Sequence, residues 1–293
     1  MKERTLAQEY RQIPVSEPKP FVKWVGGKRQ LMQELENNFP KQFGTYHEPF
    51  LGGGAVMFNL LSKEPRLSCN VSDFNSDLIL AYVTIRDKLG KLIESLENHS
   101  KNYHKDSAEY YYHIRKQEPK QQIEKVSRLL FLNKTCFNGL YRVNKKGQFN
   151  VPLGRYTNPN IVNKENLTTV SKILQSKKIK ISCRDFEAVL GDAKKGDLVY
   201  FDPPYQPVSS TANFTSYTHR DFTENDLERL ADLGDQLNSK GCHVLLSNSN
   251  SKIVKDFFSK KHWKISSINA NRAINSNAKK RTCLLYTSPS PRD

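Results

Sequence analysis

One segment of the chain restricts its fold and its chemistry more than any other. The apolar run at residues 198–201 has the composition of a fully buried strand, and the sequence then changes directly to Asp202-Pro203-Pro204-Tyr205. Neither proline can donate a hydrogen bond to a neighbouring strand, so the strand is expected to end there. A carboxylate, a rigid turn and an aromatic ring are therefore predicted at the carboxyl end of a strand, where open α/β sheets bind ligands.

The residues after this strand suit a planar ligand that carries an amino group. Asp202 offers acceptor oxygens, the stiff turn can direct the carbonyl of Pro203 beside them, and Tyr205 offers a flat face for stacking. A plainer interpretation is also open, namely a strand-end turn whose aspartate caps a helix or forms a salt bridge. The four residues alone do not separate the two interpretations.

Strand and helix patterns alternate along most of the chain, which predicts an α/β fold with a mostly parallel sheet. Strands are predicted at residues 46–50, 67–74, 179–184, 197–201, 243–247 and 263–268. Helices are predicted near residues 30–39, 55–61, 77–95, 223–237 and 252–258.

The stretch from 97 to 165 breaks this alternation. It is rich in charges and aromatic residues, its pattern is helical as far as Thr135, and Asn, Gly, Lys and Arg follow Phe137 with little helical pattern. We interpret it as a module inserted between the two parts of the α/β domain, residues 21–96 and 166–282. Residues 1–20 are polar and are predicted to form a loose arm.

A second connection between a strand and a helix has the features of a nucleoside site. Phe50 leads into a turn in which Gly52 and Gly54 permit a sharp bend and a close approach to a ligand. A dinucleotide fingerprint would have glycine or alanine where Met57 stands, which disfavours a pyrophosphate. Asp73, about 20 residues later, can hold ribose hydroxyls. The combination suits S-adenosylmethionine; the alternative is a plain turn whose aspartate caps a helix.

Two further candidates for the cofactor site are Lys28 and Asp185. The segment Trp24-Val25-Gly26-Gly27-Lys28 fails as a P-loop, because Val22 replaces the first glycine and Arg29 replaces the Ser or Thr after the lysine. Lys28 can still bind a carboxylate, although a solvated lysine is the alternative. Asp185 follows a predicted strand and can accept from an adenine amino group, or it can be an ordinary surface-turn aspartate.

Composition points to a polyanionic partner. The 293 residues include 46 Lys and Arg against 30 Asp and Glu, a net charge of +16, for which nucleic acid is the first expectation and an anionic membrane surface the alternative. We expect a cytosolic protein that does not enter a membrane, because it has neither a long apolar segment nor a signal peptide. Five cysteines without metal-like spacing predict reduced packing residues and no metal site: Cys69, Cys136, Cys183, Cys242 and Cys283.

Taken in order, these motifs resemble the DNA adenine methylase family, the adenine-N6 methyltransferases of the Asp-Pro-Pro-Tyr type. The order is Trp-x-Gly-Gly-Lys, the glycine turn, the insertion and Asp-Pro-Pro-Tyr, and residues 131–155 and 205–217 are also very like that family. The resemblance covers most of residues 21–282. It implies a Rossmann-like methyltransferase fold with a mixed, mostly parallel sheet and an inserted, mainly helical DNA-recognition domain.

The resemblance also implies a reaction and roles for individual residues. The reaction is transfer of a methyl group from S-adenosylmethionine to N6 of a flipped adenine in double-stranded DNA, within GATC. Asp202, Pro203 and Tyr205 would be catalytic. The cofactor would contact Trp24, Lys28, Phe50, Gly52, Gly54, Asp73, Asp185 and Asp202. The DNA would contact the aromatic wedge Phe137 together with Asn138, Leu140, Arg142, Lys145, Pro152 and Arg155.

The physical chemistry of these residue types agrees with such roles. Arginine can pair bidentately with guanine, and Lys145, Lys146 and Arg155 can neutralise phosphates, although a solvated lysine-rich loop is the alternative. Many relatives of this type act as monomers, so we expect a monomer, or a dimer on DNA. Methylation of RNA or of a protein amide is a competing function, and so is an inactive DNA-binding regulator.

The last eleven residues, 283–293, look foreign to the rest of the chain. They resemble the translation of a transposon-end adapter from a sequencing library, and the alternative is a genuine tail rich in Pro and Ser. The family closes its sheet with a strand near this point. That strand is therefore expected to be either missing or mimicked by residues 282–286.

Overall fold

A mixed sheet runs through the computed structural model, which describes residues 17–24, 28, 31–144, 146–204, 222–259, 263–269 and 282–287. Among these residues the sheet has seven strands in the order β3-β2-β1-β4-β5-β7-β6. β1 is parallel to β2 and β4, and β4 is parallel to β5, whereas β7 is antiparallel to both β5 and β6. The strands are β1 Tyr46–Glu48, β2 Cys69–Asp73, β3 Ile179–Cys183, β4 Leu198–Phe201, β5 His243–Ser249, β6 Lys264–Asn269 and β7 Thr282–Thr287. The predicted α/β class with a mostly parallel sheet is confirmed.

The helices differ from the prediction at Lys88 and in two helices that were not predicted, Lys164–Leu174 and Val189–Asp192. The predicted single helix at 77–95 is wrong, because the chain breaks at Lys88, where φ is −136° and ψ is 33°. The unpredicted helix α7 (Lys164–Leu174) contains a Thr-Thr-Val run, which weakens the helical signal, although Leu167, Val170 and Leu174 bury one face. The helices are α1 Met32–Asn37, α2 Ala55–Lys63, α3 Ser76–Asp87, α4 Leu89–Tyr103, α5 Ser107–Lys116, α6 Gln122–Thr135, α7 Lys164–Leu174, α8 Val189–Asp192, α9 Glu224–Ser239 and α10 Lys252–Ser259.

The described residues fall into two compact units. The sheet unit comprises those within Gly26–Gly52, Arg66–Phe74 and Ser182–Asp293, and the helical unit comprises those within Met1–Val25, Gly53–Pro65 and Asn75–Ile181. Residues 97–165 lie inside the helical unit, and their limits as a recognition module stay a prediction. Within the described residues, no helix combines the length and apolar character that crossing a bilayer requires.

The core of the sheet unit lies between strands β4 and β5 and helix α9. All four residues of β4 are buried, as expected for a parallel strand covered on both faces. Helix α9 begins with a capping box, in which Thr223 and Asp226 satisfy each other's backbone N–H groups. Its buried residues, Leu227, Leu230, Ala231, Leu233 and Leu237, pack in one cluster with Val199, Phe201, Val244 and Leu246.

Aromatic rings form much of the core of the helical unit. Phe131 on α6 is fully buried, stacks on His99 at 5.0 Å between ring centroids and meets Tyr103 and Tyr110 edge-on. His99 also hydrogen-bonds the hydroxyl of Tyr110 at 2.8 Å. Burial lowers the pKa of His99 to about 4, because the charged form would lose its hydration. Much of the aromatic enrichment in this stretch therefore serves packing.

Part of the chain end that was predicted to be foreign belongs to the sheet. β7 contains residues 283–287 and pairs with two strands at once, β5 on one side and β6 on the other. Leu285 on this strand is fully buried. Residues 282–287 therefore form a closing strand, the foreign origin of residues 283–293 stays a prediction, and residues 288–293 lie outside the described part of the chain.

Candidate functional site

Three parallel strands of the sheet unit end at the same edge. The register pairs Tyr46 of β1 with Cys69 of β2 and with Leu198 of β4, so the residues that follow these strands lie at the same level along the strand direction. Asp73 is the last residue of β2 and Asp202 follows the last residue of β4. Because ligands bind beyond the carboxyl ends of parallel strands, this edge is the candidate site.

The carboxylate of Asp202 is held by two described side chains. Lys28 Nζ lies 2.6 Å from Oδ2, and the Ser247 hydroxyl donates to Oδ1 at 2.9 Å. The side chain of Lys28 is only 3% exposed, so the interpretation of a solvated lysine is wrong. A buried ammonium group is stable only when it is paired, and Asp202 supplies its counter-charge.

Ser247 belongs to a buried hydroxyl pair that sequence reasoning missed. It lies on β5, is fully buried, and its Oγ is 2.9 Å from the hydroxyl of Tyr200, which is fully buried on β4. The sequence did contain a signal, because Ser247 and Asn248 interrupt the apolar run of β5. Polar side chains inside a buried strand must find partners, and here Ser247 finds the carboxylate of Asp202.

The glycine turn and Asp73, which were predicted separately for the cofactor site, are in direct contact. Gly52 has a φ of 50°, which glycine adopts without strain, and its N–H donates to Asp73 Oδ2 at 2.8 Å. The alternative of an aspartate helix cap is wrong for Asp73, because Asn75 caps α3 by accepting the N–H of Leu78. The next residue, Phe74, has 53% of its surface exposed and was missed by sequence reasoning.

Asp185 is bound into a charged cluster beside an aromatic one. Its Oδ1 accepts the N–H of Glu187 and the guanidinium of Arg229, both at 3.0 Å. Arg229 also pairs with Glu187 and Asp226 and lies over the ring of Phe186, 4.8 Å from its centroid. The hydrogen bonds that Arg229 donates to Glu187, together with the neighbouring carboxylates, raise the pKa of Arg229, which therefore stays charged. Asp185 is therefore a turn aspartate that caps the 3-10 turn Phe186–Ala188 and is also held by Arg229, and its contact with the cofactor stays a prediction.

Phe50 is part of the aromatic cluster that adjoins Asp185. Its ring stacks on Phe186 at 5.3 Å and meets Phe201 and Phe222 edge-on. The cluster packs against the core of the sheet unit. Among the described residues, no group of three or more His, Cys, Asp or Glu side chains is arranged to hold a metal ion.

Two predicted cofactor residues belong to the helical unit. Trp24 is partly exposed and stacks on Tyr141 at 5.1 Å between ring centroids, so it is not a core tryptophan. Gly54 caps α2 with a left-handed φ of 70°. A Cβ at Gly54 would lie 2.6 Å from the hydroxyl of Tyr82, so both the backbone and the available space require glycine.

The predicted aromatic wedge lies on a rigid turn of the helical unit. Residues Phe137–Gly139 form a 3-10 turn after α6, and 47% of the surface of Phe137 is exposed. Asn138 and Gly139 both have left-handed φ angles, 55° and 64°. The Phe137 N–H donates to the carbonyl of Pro152 at 2.8 Å. The backbone of the turn is therefore fixed while the ring of Phe137 is accessible.

The structure brings several of the predicted DNA contacts onto neighbouring segments. Gly154 donates to the carbonyl of Thr135, and Cys136 forms a bridge with Leu153, so residues 152–155 lie along the Phe137 turn. The guanidinium of Arg142 donates to the side chain of Asn150 at 2.8 Å. Asn138, Pro152 and Arg155 are exposed, and Leu140 and Arg142 are partly buried. The predictions for Lys145 and Tyr205 fall outside the described residues.

Comparison with known proteins identifies the family. Residues 24–274 match the family model of the D12 class N6 adenine-specific DNA methyltransferases. The Type II methyltransferase M.MjaIII of Methanocaldococcus jannaschii is 43% identical over 286 residues, which cover 92% of this chain and 97% of that protein. The DNA adenine methylase of Escherichia coli is 31% identical over 88% of this chain and 89% of its own length. The chain belongs to the D12 class of N6 adenine-specific DNA methyltransferases.

Membership of this family confirms the predicted fold class and the predicted enzyme class. DNA is the expected substrate, and methyltransferases generally use S-adenosylmethionine. A phage protein is among the relatives, since the DNA N-6-adenine-methyltransferase of Escherichia phage P1 is 31% identical over 93% of this chain and 35% of its own length. Because both Type II methyltransferases and DNA adenine methylases are relatives, membership alone does not specify the recognised sequence.

Proposed function

We propose that this protein transfers the methyl group of S-adenosylmethionine to N6 of adenine in GATC sites of duplex DNA, after the adenine has left the base stack. The observation that carries the proposal is the carboxylate of Asp202, which is oriented by Ser247 and Lys28 at the carboxyl end of β4. A carboxylate held there can accept a hydrogen of an amino group without reorganising when the ligand arrives.

The residues at the strand ends fit the proposed cofactor. Asp73 can hold ribose hydroxyls, the exposed ring of Phe74 offers a face for adenine, and Asp185 can accept from the adenine amino group. Lys28 offers positive charge for a carboxylate. We assign Trp24, Phe50, Gly52 and Gly54 to the same cofactor, which supplies an electrophilic methyl group when it is bound.

The chemistry requires the adenine amino group to be reoriented, because its lone pair is delocalised into the ring. Asp202 and the carbonyl of Pro203 would accept the two N6 hydrogens, which favours a pyramidal nitrogen whose lone pair is localised for attack on the methyl group. One of these hydrogens leaves as a proton once the nitrogen carries the methyl group. The same acceptors stabilise the positive charge that develops on nitrogen. Tyr205 would stack on the ring, and no covalent intermediate is needed.

The turn of the helical unit fits the proposed DNA contact. An exposed aromatic ring on a rigid backbone, as at Phe137, can fill the space that a flipped base leaves, and flipping costs on the order of a few kcal/mol. Arg142 would read a guanine, while Asn138, Leu140 and Pro152 face the bases. Arg155 and Lys145 would neutralise phosphates. We propose that the enzyme acts as a monomer, or as a dimer on DNA.

Methyl transfer from labelled S-adenosylmethionine to two duplexes tests the proposal. One duplex contains GATC, and the matched duplex has another base in place of its adenine. Transfer to the first alone is expected. Transfer to both would remove the GATC assignment and keep the enzyme class, and preferential transfer to a transfer RNA competitor would move the substrate to RNA.

Base flipping has a separate test. We place 2-aminopurine at the target adenine, because its fluorescence rises when the base is unstacked. The wild-type protein is expected to raise the fluorescence, and Phe137→Ala is expected to reduce the rise. Equal fluorescence with and without protein, at saturating binding, would contradict extrusion of the base.

A further inference from the structure

We propose that Ser247 is a positioning residue for the methyl transfer, and that it acts by fixing the rotation of the Asp202 carboxylate with Tyr200 as its support. The inference rests on the proposed role of Asp202 as the acceptor for adenine N6. It adds to that role two residues from the interior of the sheet, one on β5 and one on β4.

The register of the sheet places Ser247 opposite Asp202. β4 and β5 are parallel, and Phe201, the last residue of β4, pairs with Leu246, so the residues that follow this pair are Asp202 after β4 and Ser247 within β5. The hydrogen bond between them, 2.9 Å from Oγ to Oδ1, follows from this register. Because Ser247 is fully buried on a central strand, the donor cannot move away from the carboxylate.

The direction of the two hydrogen bonds can be deduced from the charge of Asp202. A carboxylate paired with the ammonium group of Lys28 only accepts hydrogen bonds, so the single hydroxyl hydrogen of Ser247 points to Asp202. The oxygen of the Ser247 hydroxyl then accepts a hydrogen bond from the hydroxyl of Tyr200, which lies 2.9 Å from it. A hydrogen-bonded chain therefore runs from Tyr200 through Ser247 to Asp202.

These two hydrogen bonds fix the terminal torsion of Asp202, which sets the plane of its carboxylate. The terminal torsion of an aspartate is broad, so hydrogen bonds must select the plane of its carboxylate. Lys28 holds Oδ2, and in the proposed function its ammonium group also serves the cofactor. Ser247 binds Oδ1 from within the sheet whatever ligand is present, so it keeps the plane constant while Oδ2 receives the amino group.

The expected effect is on the rate of transfer at saturating substrate. Ser247→Ala removes a hydrogen bond to a charged group, and we expect kcat to fall about 10- to 100-fold. The KM for DNA and the Kd for S-adenosylmethionine are expected to change less than about threefold, because the substituted group contacts neither ligand. Ser127→Ala is the matched control, since Ser127 is also fully buried and hydrogen-bonded, to Ser95 and the carbonyl of Glu124.

Conservative variants at residue 247 distinguish the loss of the hydrogen bond to Asp202 from a loss of side-chain packing. Ser247→Thr keeps the hydroxyl and is expected to retain most of kcat. Ser247→Cys keeps the shape with a weak donor and is expected to lie between serine and alanine. Tyr200→Phe is expected to lower kcat by a smaller factor and to have little further effect in the Ser247→Ala background, because Tyr200 acts through Ser247.

The outcomes distinguish this inference from the proposed function. The inference is overturned if Ser247→Ala keeps the wild-type kcat, or if Ser127→Ala lowers kcat by the same factor. It is also overturned if Ser247→Cys and Ser247→Ala have equal kinetic constants and the change is in KM. The proposed role of Asp202 is tested separately by Asp202→Asn. If that variant is inactive while Ser247→Ala keeps full kcat, only the positioning role of Ser247 fails.

Discussion

The two units of this protein present the side chains of the proposed function in opposite ways. In the sheet unit Asp202 and Lys28 are a buried or nearly buried charged pair, and the partners of Asp202 come from other strands or loops. In the helical unit Phe137 and Arg155 are exposed, and it is the backbone beneath Phe137 that is fixed. Reaction chemistry needs an oriented carboxylate, whereas a DNA surface needs accessible rings and charges on a firm support.

The largest expected effect is that of Asp202→Asn in the sheet unit. Single-turnover methyl transfer should fall by about 1000-fold or more, because the amide supplies one acceptor and no charge to the developing cation. The Kd for S-adenosylmethionine should change far less than the rate, because Asn keeps an acceptor for Lys28 although it removes the counter-charge. Asp232→Asn, an exposed position on α9, is the control. Turnover within tenfold of wild type in Asp202→Asn would remove the assigned acceptor.

The next effect concerns the support of the exposed wedge. A Cβ at Gly139 would lie 2.3 Å from Lys23 Cδ and 2.8 Å from Lys23 Cβ, at a left-handed φ of 64°. We expect Gly139→Ala to lower the free energy of unfolding by about 1–3 kcal/mol and to weaken DNA binding. The control is Gly90→Ala in α4, which has open space and should stabilise the protein by about 0.5 kcal/mol. Urea denaturation measures both, and equal stabilities for the two variants would show that the turn is not rigid.

The pH dependence of stability compares the two units through one histidine in each, His99 in the helical unit and His47 in the sheet unit. Burial lowers the pKa of His99 to about 4 from its ordinary 6.5, so the folded state favours the neutral form. Its contribution to stability is therefore complete above pH 6.5 and is lost as the pH falls towards 4, by about 2–3 kcal/mol in total. Burial also lowers the pKa of His47, but the hydrogen bond and charge of Asp197 oppose that shift.

The stability of the helical unit should therefore fall more on acidification than that of the sheet unit. The reason is that His99 is hydrogen-bonded to the neutral Tyr110, whereas His47 is hydrogen-bonded to Asp197. His99→Phe is expected to flatten the dependence of unfolding free energy on pH between about 6.5 and 4. Tyr110→Phe removes the hydrogen bond and leaves the titrating group, so it should keep the wild-type slope. A His99→Phe variant with an unchanged pH dependence would contradict the assignment.

The smallest expected effect is that of a single exposed charge. Arg155→Gln should change the free energy of unfolding by less than about 0.5 kcal/mol. It should also reduce the slope of log K for DNA against log salt concentration by the amount that corresponds to about one phosphate contact. The loss should be the same for GATC and for other duplexes, because phosphates carry no sequence information. Lys91→Gln, an exposed charge on α4, is the control. A loss confined to GATC would instead indicate that Arg155 reads a base.

Local patterns in the sequence determined the outline of this protein. The proline pair ends the strand β4, the alternation of strands and helices predicts the α/β class, and the glycines predict the sharp turn at Gly52 and Gly54. These signals depend on neighbours along the chain or on a short period, so one sequence is enough to find them. The failures were also local ambiguities, as in the break at Lys88 and in α7.

Tertiary structure decided which side chains meet. Lys28 and Asp202 are 174 positions apart, and Asp202 and Ser247 are 45 positions apart, so no local pattern predicts either contact. The place of β7 between β5 and β6 likewise depends on the register of a whole sheet. Sequence determined that a carboxylate stands at the end of a buried strand, because backbone sterics act locally. Only the packed sheet decided how that carboxylate is held, because hydrogen-bond partners across strands depend on strand order and register.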